Sequence, residues 1–463
     1  MRNRMAKVKK RTDECVIAID AGTQSMRAAA FDMRGEVIDI VKTPMVPYIS
    51  NKPGWAEQDP EYYWKNLCVT CKKLMREISF HKESIKGVSL TTQRMTFVNV
   101  DKDGKPIRPA IVWLDQRKAK PGKWPSAPID IILRMLGIRE SVLYGICDSE
   151  ANWLMQNQPE IWDKTYKFLL LSGFLTMRLT GEFRDSVGST VGYLPLDYKR
   201  QKWAPKYDMK WKMFPIDHSK LNDLVKPSEP LGYITAQGAR ETGLPQGLPL
   251  IAAAADKACE VLGSGCLSPE TACVSYGTTA TIDATCPKYV EVVPFFPAYP
   301  GAVPETYNTE IMIVRGFWMS VWFREQFASA EAGLAKKRGI APEALFDEFA
   351  AKIPAGSMGL TLQPFWSPGI VRIPGPEAKG SIIGFGDVHT KWHIYRAVLE
   401  GLAYALKEGT IRTEKKTGVK ITSLKISGGG SQSALVSQIT ADIFNLPAER
   451  PHTFEAAALG AAI

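Results

Sequence analysis

Residues 15–32 read CVIAIDAGTQSMRAAAFD, and this stretch decides the fold. Its two apolar runs, residues 15–20 and 26–32, predict strands, and the glycine-bearing residues 21–25 between them predict a tight turn. Successive N–H groups of such a turn can face a phosphate, with further donors nearby, and the candidates are Gly22, Thr23, Ser25 and Arg27. Asp20 ends the first strand and is placed to hold a magnesium ion through water. An ordinary hairpin with a capping aspartate is the alternative.

The second half of the chain repeats this pattern. Residues 271–275 and 280–284 predict strands on either side of YGTT at residues 276–279, so Thr278 is a second candidate for phosphate contact. The Pro- and Gly-rich stretch ETGLPQGLPL, residues 241–250, separates the halves. We therefore predict an internally duplicated α/β molecule with a cleft between two domains, residues 1–246 and 247–463.

A glycine-rich turn follows a strand predicted near the end of the chain. Residues 421–427 predict the strand, GGGS at 428–431 the turn, and residues 432–444 a helix. Three glycines expose backbone to a nucleotide, and a helix N-terminus favours anionic or polar groups. The alternative is a strand–helix turn that needs glycine for packing.

Asp256 follows the run of small residues IAAAA, 251–255, and precedes a predicted helix. Small neighbours leave room for a substrate hydroxyl at the carboxylate, as a general base requires. The alternative is an N-cap of the helix.

Polar residues also follow two strands predicted in the first half. Gln93 and Arg94 come after one, and WLDQR at residues 113–117 after the other. Such side chains, Asp115 included, can hydrogen-bond a polyhydroxylated ligand while the tryptophan covers its apolar face. The alternative is a salt bridge from Arg94 or Arg117 to Asp115.

The composition excludes several classes of protein. The 463 residues are 45% hydrophobic, as in an ordinary globular protein of two or three domains. A net charge of +10, six of it within residues 1–11, leaves a mildly basic body that suits an anionic ligand and does not indicate nucleic acid. No apolar window approaches the roughly 18 residues of a membrane span. We expect a cytoplasmic protein, and the sequence is compatible with a homodimer.

Taken together, these residues resemble the FGGY family of carbohydrate kinases, which includes glycerol kinase and xylulokinase. The resemblance runs in register from about residue 16 to residue 463. Its seven elements are DxGTxSxR at 20–27, GWxExDP at 54–60, TQR at 92–94, WxDxR at 113–117, the Asp256 segment, GSIIG with HI, AVL and Glu400 at 380–400, and EAAALGAA at 455–462. Only Phe385 departs from the sixth. Most are weak alone, but seven in the same order are hard to obtain by chance.

The resemblance implies a two-domain actin-like ATPase fold, of ribonuclease H type, in which ATP and sugar meet in the cleft. It implies Asp256 as the base that activates the accepting hydroxyl. It also implies that Asp20, Thr23 and Ser25 hold phosphates and magnesium. The substrate residues that we expect are Gln93, Arg94 and Asp115, and the residues for ATP and its phosphates are Gly22, Thr23, Gln24, Ser25, Arg27, Thr278, Gly316, Gly429 and Ser433.

The expected activity is transfer of the γ-phosphoryl group of ATP, with Mg²⁺, to a hydroxyl of a small sugar or polyol. We favour a ketose such as xylulose. A glycerol kinase and a non-catalytic nucleotide-binding member of the fold are the alternatives. The second alternative is disfavoured because a nucleotide switch needs neither Asp256 nor Arg94 beside Asp115.

Four features depart from the family pattern. Met95 stands where glycerol kinases have the glutamate that binds the triol, and Arg94-Met95 replaces the Met-His of xylulokinases. Glu150 stands where the N-terminal signature expects lysine. Relatives also continue by about a helix or more after Ile463, so we expect a truncated chain with part of its second core exposed.

Overall fold

The computed structural model describes residues 14–77, 82–122, 125–294, 296–367 and 378–463. The cluster of six charges at residues 1–11 lies outside the described residues. So does the end of the helix that the sequence predicts over residues 60–80.

The first half consists of short strands and nine helices within the described residues. Its strands are β1 (Cys15–Ala21), β2 (Ser25–Asp32), β3 (Val37–Pro44), β4 (Glu57–Gln58), β5 (Ile85–Thr92), β6 (Phe97–Val100), β7 (Ala110–Ile111), β8 (Lys167–Leu170), β9 (Arg184–Ser186), β10 (Leu196–Asp197), β11 (Lys202–Trp203), β12 (Asp223–Val225), β13 (Pro230–Tyr233) and β14 (Pro249–Ala252). Its helices are α1 (Pro60–Glu77), α2 (Ala127–Met135), α3 (Arg139–Asp148), α4 (Glu150–Asn157), α5 (Pro159–Lys164), α6 (Leu171–Thr180), α7 (Lys210–Met213), α8 (Ala236–Thr242) and α9 (Asp256–Gly263).

The second half has longer helices around another sheet. Its strands are β15 (Thr271–Tyr276), β16 (Ala280–Cys286), β17 (Tyr299–Pro300), β18 (Tyr307–Ile313), β19 (Thr361–Gln363), β20 (Ser381–Ile383), β21 (Ser423–Ser427) and β22 (Ala448–Glu449). Its helices are α10 (Trp318–Phe327), α11 (Ser329–Arg338), α12 (Pro342–Ala350), α13 (Lys391–Thr417), α14 (Ala434–Phe444) and α15 (Ala456–Ala462).

The two main sheets share one strand pattern. The first has the order β13-β14-β5-β1-β2-β3, in which β1, β2 and β3 form an antiparallel meander and β5 and β14 run parallel to β1. The second has the order β17-β18-β16-β15-β21-β22, with a meander of β15, β16 and β18 and with β21 and β22 parallel to β15. The predicted duplication of an α/β unit is therefore confirmed.

The sequence predicts the meanders well and the region between them poorly. The sequence pattern of residues 126–207 predicts mainly helix, but α6 ends at Thr180 and strands and turns follow. Gly181 ends α6 in a left-handed conformation with φ 79°, as glycine commonly does after a helix. The helix expected from residue 432 begins at Ala434, after a 3₁₀ turn at Gly429–Gln432.

The last helix of the second half packs on the first half. α15 lies against α9 and β1, and Ala458 and Leu459 share an apolar cluster with Ala18 of β1. The helix backbones touch, since a Cβ atom on Gly460 would lie 1.8 Å from the Cys259 carbonyl oxygen. Only glycine permits this approach.

Two general features bear on organisation. No helix among the described residues is both long and apolar enough to cross a bilayer. The division between residues 246 and 247 stays a prediction, and β14, just beyond it, still pairs with β5 of the first sheet.

Candidate active site

Three predicted site residues meet at one edge of the first sheet. Asp20 lies near the carboxyl end of β1, Arg94 follows β5, and Asp256 follows β14. These strands are neighbours and run parallel, so their carboxyl ends share an edge. In open α/β sheets ligands bind outside this edge. The sequence could not give this adjacency, because 236 positions separate Asp20 from Asp256 (256 − 20).

Asp20 is a buried carboxyl in acidic surroundings. It is 4% exposed, and its Oδ2 accepts a hydrogen bond from Arg27 Nη1 at 2.9 Å. Its pKa is raised to about 6, chiefly by burial, with Arg27 opposing the rise and the Asp256 and Glu455 charges adding to it. A divalent cation stabilises the ionised form of such a carboxyl, because it supplies positive charge. Among the described residues no group of three or more acidic, His or Cys side chains forms a metal cage. Magnesium does not need one, since it usually binds through one or two carboxylates, water and substrate phosphates.

The turn after β1 presents free backbone donors. Gly22 N–H donates to the Ser25 carbonyl at 3.1 Å and closes the turn. No hydrogen bond among the described residues uses the N–H groups of Thr23 or Gln24. Two adjacent free N–H groups form a concavity suited to an anion. Ser25 and Arg27 are less available to an anion than these N–H groups, because Ser25 is buried and Arg27 is paired with Asp20.

Gln93 stabilises the turn after β1 through a hydrogen bond to Thr23. It is 3% exposed, and its Oε1 accepts a hydrogen bond from the Thr23 hydroxyl at 2.7 Å. Its Nε2 donates to the Tyr63 hydroxyl at 3.0 Å, and Trp113 Nε1 donates to Thr23 Oγ1 at 3.0 Å. The arrangement gives Gln93 a role in orienting Thr23, whereas we expected contact with substrate.

Asp256 is the first residue of α9, and one of its two carboxylate oxygens is already hydrogen-bonded. Its Oδ1 accepts a hydrogen bond from the Lys257 N–H at 2.8 Å, while the N-cap position belongs to Ala255. No hydrogen bond among the described residues engages its Oδ2. Burial raises the pKa of this carboxyl, and Arg94 and Lys257 hold the rise back. A half-buried carboxylate with a raised pKa and a free oxygen can accept a hydroxyl proton.

Arg94 reaches across to the second sheet. Its Nη1 lies 2.9 Å from Glu310 Oε2 and its Nη2 donates to Glu310 Oε1 at 3.2 Å, a two-pronged ion pair. The guanidinium also lies over the Tyr299 ring, 5.3 Å from its centroid. The partner proposed from the sequence, Asp115, is not the one that Arg94 binds. Glu310 is not among the residues predicted from the sequence. A glutamate inside the apolar strand YNTEIMI nevertheless indicates a buried charge that needs a partner.

Asp115 forms a salt bridge with Arg117, which is the other pairing that the sequence allowed. Arg117 Nε and Nη2 donate to Asp115 Oδ1 and Oδ2, both at 2.7 Å. The Ala56 and Arg117 N–H groups occupy the two oxygens further, at 2.6 and 2.9 Å. Arg117 itself lies over Trp55 and Trp153, 3.9 and 4.6 Å from the ring centroids. With its lone pairs used, Asp115 has a structural role here, and the arrangement does not support its expected contact with sugar.

Glu150, at the departure from the family signature, is a buried acid. Its Oε2 lacks a hydrogen-bond partner, and burial raises its pKa to about 8. Between about pH 4.5 and 8 the folded chain holds a proton that the unfolded chain has released, so stability falls as pH rises through this window.

We therefore expect Glu150→Gln to be more stable than the wild type above pH 8, with a melting temperature roughly 2–5 °C higher. The gain should shrink as pH falls from 8 and vanish well below pH 4.5, where the carboxyl is neutral in both the folded and the unfolded state. Thermal melts at several pH values measure this. Glu160→Gln, at an exposed residue of α5, is the control. A pH-independent difference would contradict the reasoning.

The second sheet presents a matching set of turns at its carboxyl edge. The Thr278 turn follows β15, and the glycine turn follows the parallel strand β21. The Gly316 N–H donates to the Thr278 carbonyl at 2.9 Å, which joins the loop before α10 to this turn. No hydrogen bond among the described residues uses the Thr278 or Thr279 N–H groups, as in the turn after β1. The expected residues Thr278 and Gly316 are thus brought together.

The glycine turn has one tight and one open position. A Cβ atom on Gly428, where φ is 76°, would lie 2.7 Å from Tyr276 backbone, whereas one on Gly429 would meet nothing within 4 Å. Gly429 is exposed and the space beside it is open, as the predicted contact with a nucleotide requires. Ser433 caps α14, and its hydroxyl oxygen accepts a hydrogen bond from the Val436 N–H at 3.0 Å.

These contrasting neighbours give a prediction. We expect Gly429→Val to keep the wild-type melting temperature and to raise the KM for ATP by about tenfold or more, because the side chain occupies free space that we assign to nucleotide. Gly428→Ala should lose stability first, since both its φ and its space forbid a Cβ. Melting curves and ATP titrations separate the two effects. Unchanged ATP kinetics in Gly429→Val would remove Gly429 from the site.

Comparison with known proteins gives consistent matches. Residues 15–263 match the model of the FGGY family of carbohydrate kinases, N-terminal domain, and residues 272–463 match the C-terminal domain. A xylulose kinase of Lactococcus lactis is 30% identical over 441 residues, covering 93% of this chain and 83% of the relative.

Solved structures agree on the fold. A xylulose kinase from Lactobacillus acidophilus superposes with a TM-score of 0.80 at 21% identity over 97% of this chain and 88% of its own. Glycerol kinase of Plasmodium falciparum, solved with ADP, gives 0.75 at 23% identity over 97% and 88%.

Proposed function

Because the chain belongs to the FGGY family of carbohydrate kinases, we propose that it transfers the γ-phosphoryl group of ATP, with Mg²⁺, to a hydroxyl of a small sugar or polyol. The observation that carries the proposal is the convergence of Asp20, Arg94 and Asp256 at one sheet edge, together with matching phosphate-type turns in both halves. We also retain a cytoplasmic location as part of the proposal.

The roles follow from the geometry. Asp256 accepts the proton of the attacking hydroxyl as the oxygen–phosphorus bond forms and the bond to ADP breaks. The free N–H groups after β1 and β15 face the phosphates from both sides. Asp20 holds magnesium, which neutralises phosphate charge when bound. Gly316, Gly429 and Ser433 line the nucleotide side, where Gly429 leaves the space that a base or ribose needs.

For the acceptor we propose a ketose such as xylulose. The xylulose kinase relatives support this choice, and Met95 counts against glycerol, because a thioether is a weak acceptor where a carboxylate would take hydroxyl protons. Met95 also adopts a left-handed backbone conformation, with φ 51°, directly after Arg94. Backbone strain of this kind is found mostly at functional sites.

A screen of acceptors by ADP release tests the proposal. We expect acceptor-dependent release with one or more ketoses and little with glycerol. Release that is the same with and without every acceptor would support the non-catalytic alternative. Efficient glycerol phosphorylation would favour the glycerol kinase alternative and remove the argument from Met95.

A further inference from the structure

A narrow crevice beside Asp256 is walled by both halves of the chain. Its cavity volume is about 10 Å³, which leaves room for one water-sized group such as a hydroxyl, and its lining includes Arg94, Lys257, Asp283, Tyr299, Asn308 and Glu310. Arg94 and Lys257 come from the first half, and the others from the second sheet and its connections. All the acceptor residues expected from the sequence lie in the first half, so this second wall has no assigned role.

Most charged groups of the crevice already have partners. Arg94 takes both oxygens of Glu310, and Lys257 Nζ donates to Glu260 Oε2 and to Ser275 Oγ, each at 2.7 Å. Glu260 Oε1 accepts further hydrogen bonds from Ser275 and Ser427, at 2.8 and 2.6 Å. Each of these charged side chains therefore has an oppositely charged partner.

Asp283 is the exception. It is 2% exposed, and no side chain or backbone group among the described residues hydrogen-bonds to its Oδ2. It lies opposite Glu310 on the paired strands β16 and β18, so both carboxyls point to the same side of the sheet. The Thr281 hydroxyl, on the same face, is near enough to lower the pKa of Asp283 but makes no hydrogen bond of good geometry.

An unpaired buried carboxyl is costly. A buried polar atom without a partner typically costs about 1–3 kcal/mol, and more when charged. Burial and the Glu310 charge raise the pKa of Asp283 well above its ordinary value, against the influence of Lys257 and Arg94. A hydroxyl ligand would satisfy this carboxyl in either protonation state, because a hydroxyl both donates and accepts.

We propose that Asp283 is an acceptor-binding residue whose free oxygen hydrogen-bonds a hydroxyl of the sugar or polyol, other than the hydroxyl that Asp256 activates. This inference rests on the proposed function and extends it to the second half of the chain. Glu310 has a different role. It is a positioning residue whose ion pair holds Arg94 in the lining of the crevice.

The charges of the crevice specify a neutral acceptor. Two cations, Arg94 and Lys257, line the crevice together with two carboxyl groups, those of Asp283 and Glu310, and Lys257 is also paired with Glu260. Both cations are already paired, so a carboxylate or phosphate on the acceptor would find no free positive group. A neutral polyhydroxylated molecule meets no such repulsion.

Steady-state kinetics of the full chain test the proposal, with the best acceptor of the ADP-release screen and with its aldonic acid counterpart. In Asp283→Leu, which is close in size, we expect the acceptor KM to rise about 10–100-fold and the KM for ATP to stay within twofold. Asp283→Asn keeps hydrogen-bonding atoms and should raise the acceptor KM about three- to tenfold. Asp283→Leu should not melt below the wild type, because the unpaired carboxyl is removed, whereas Asp283→Asn keeps an unpaired polar group and should melt close to the wild type.

Asp185→Asn is the matched control. Asp185 is also 2% exposed, but its oxygens accept hydrogen bonds from Ser172 Oγ and the Ser186 N–H at 2.6 and 2.8 Å. Its replacement should change stability without changing the acceptor KM.

Three outcomes would overturn the assignment: an unchanged acceptor KM in the folded variants, an equal rise in both KM values, or wild-type preference for the aldonate. If Asp283→Leu does not fold, Asp283→Asn decides alone. Wild-type protein that phosphorylates no acceptor overturns the proposed function, and the inference with it.

Discussion

Asp256→Asn is expected to lower kcat by about 10²–10⁴-fold while acceptor binding is largely kept. The amide has the size and shape of the carboxylate but cannot accept the hydroxyl proton. Its carbonyl oxygen can still accept the hydrogen bond from the Lys257 N–H, so the start of α9 should be preserved. Initial rates with saturating ATP and acceptor measure kcat, and an acceptor titration without turnover measures binding.

The control for this variant is Asp223→Asn, at an exposed position of β12 in the same half. It should leave kcat unchanged. Near-native turnover by Asp256→Asn would contradict the assignment of the base, and Asp20 would become the next candidate. A loss of acceptor binding equal to the loss of kcat would instead indicate a binding role for Asp256.

Asp20→Asn is expected to lower kcat/KM for ATP by about 10²–10³-fold, the usual scale for loss of one electrostatic stabiliser. It should also raise the magnesium concentration needed for half-maximal rate. Without ligands the variant should melt higher than the wild type at pH 7, because a carboxyl with a pKa of about 6 is ionised there against its surroundings.

The pH dependence has a definite sign. Between the unfolded value of 3.8 and the folded value of about 6, the folded chain keeps the Asp20 proton that the unfolded chain has lost. Ligand-free stability therefore falls as pH rises through this window, and magnesium-dependent activity falls as pH drops below about 6. Asp20→Asn should lose the stability slope. Asp32→Asn, at the other end of the same hairpin, should keep both behaviours. A variant at position 20 with wild-type magnesium dependence would refute the metal role.

Local sequence signals were sufficient for the hairpins. Apolar runs on either side of Gly22 and Gly277 predicted the first hairpin of each meander, because strands and tight turns depend on neighbouring residues. The repeat of the hairpin in the second half predicted the duplication, which the two matching sheets confirm. The family resemblance gave the two-domain fold, and the family models match both halves of the chain. The resemblance implied separate roles for Asp20 and Asp256, but only the order of the strands shows that the two lie at one sheet edge.

The sequence could not show which polar groups are already satisfied. Asp115 and Gln93 have the chemistry of sugar ligands, but Arg117 and Thr23 occupy them in the folded chain. Conversely, Asp283 and Glu310 resembled isolated charges in apolar strands, and only the pairing of β16 with β18 brings them to one wall. Hydrogen-bond saturation depends on tertiary contacts, which no spacing rule encodes.

The packing of α15 on β1 has a consequence for synthesis of the chain. The strand at residues 15–21 leaves the ribosome early, whereas the helix at 456–462 that covers it emerges only after residues 22–455 have been made. Until then Ala18 and its apolar neighbours have no cover from Ala458 and Leu459. Contacts so distant in sequence form late and slowly. The nascent first half is therefore a natural client for chaperones throughout the time that the second half is being made.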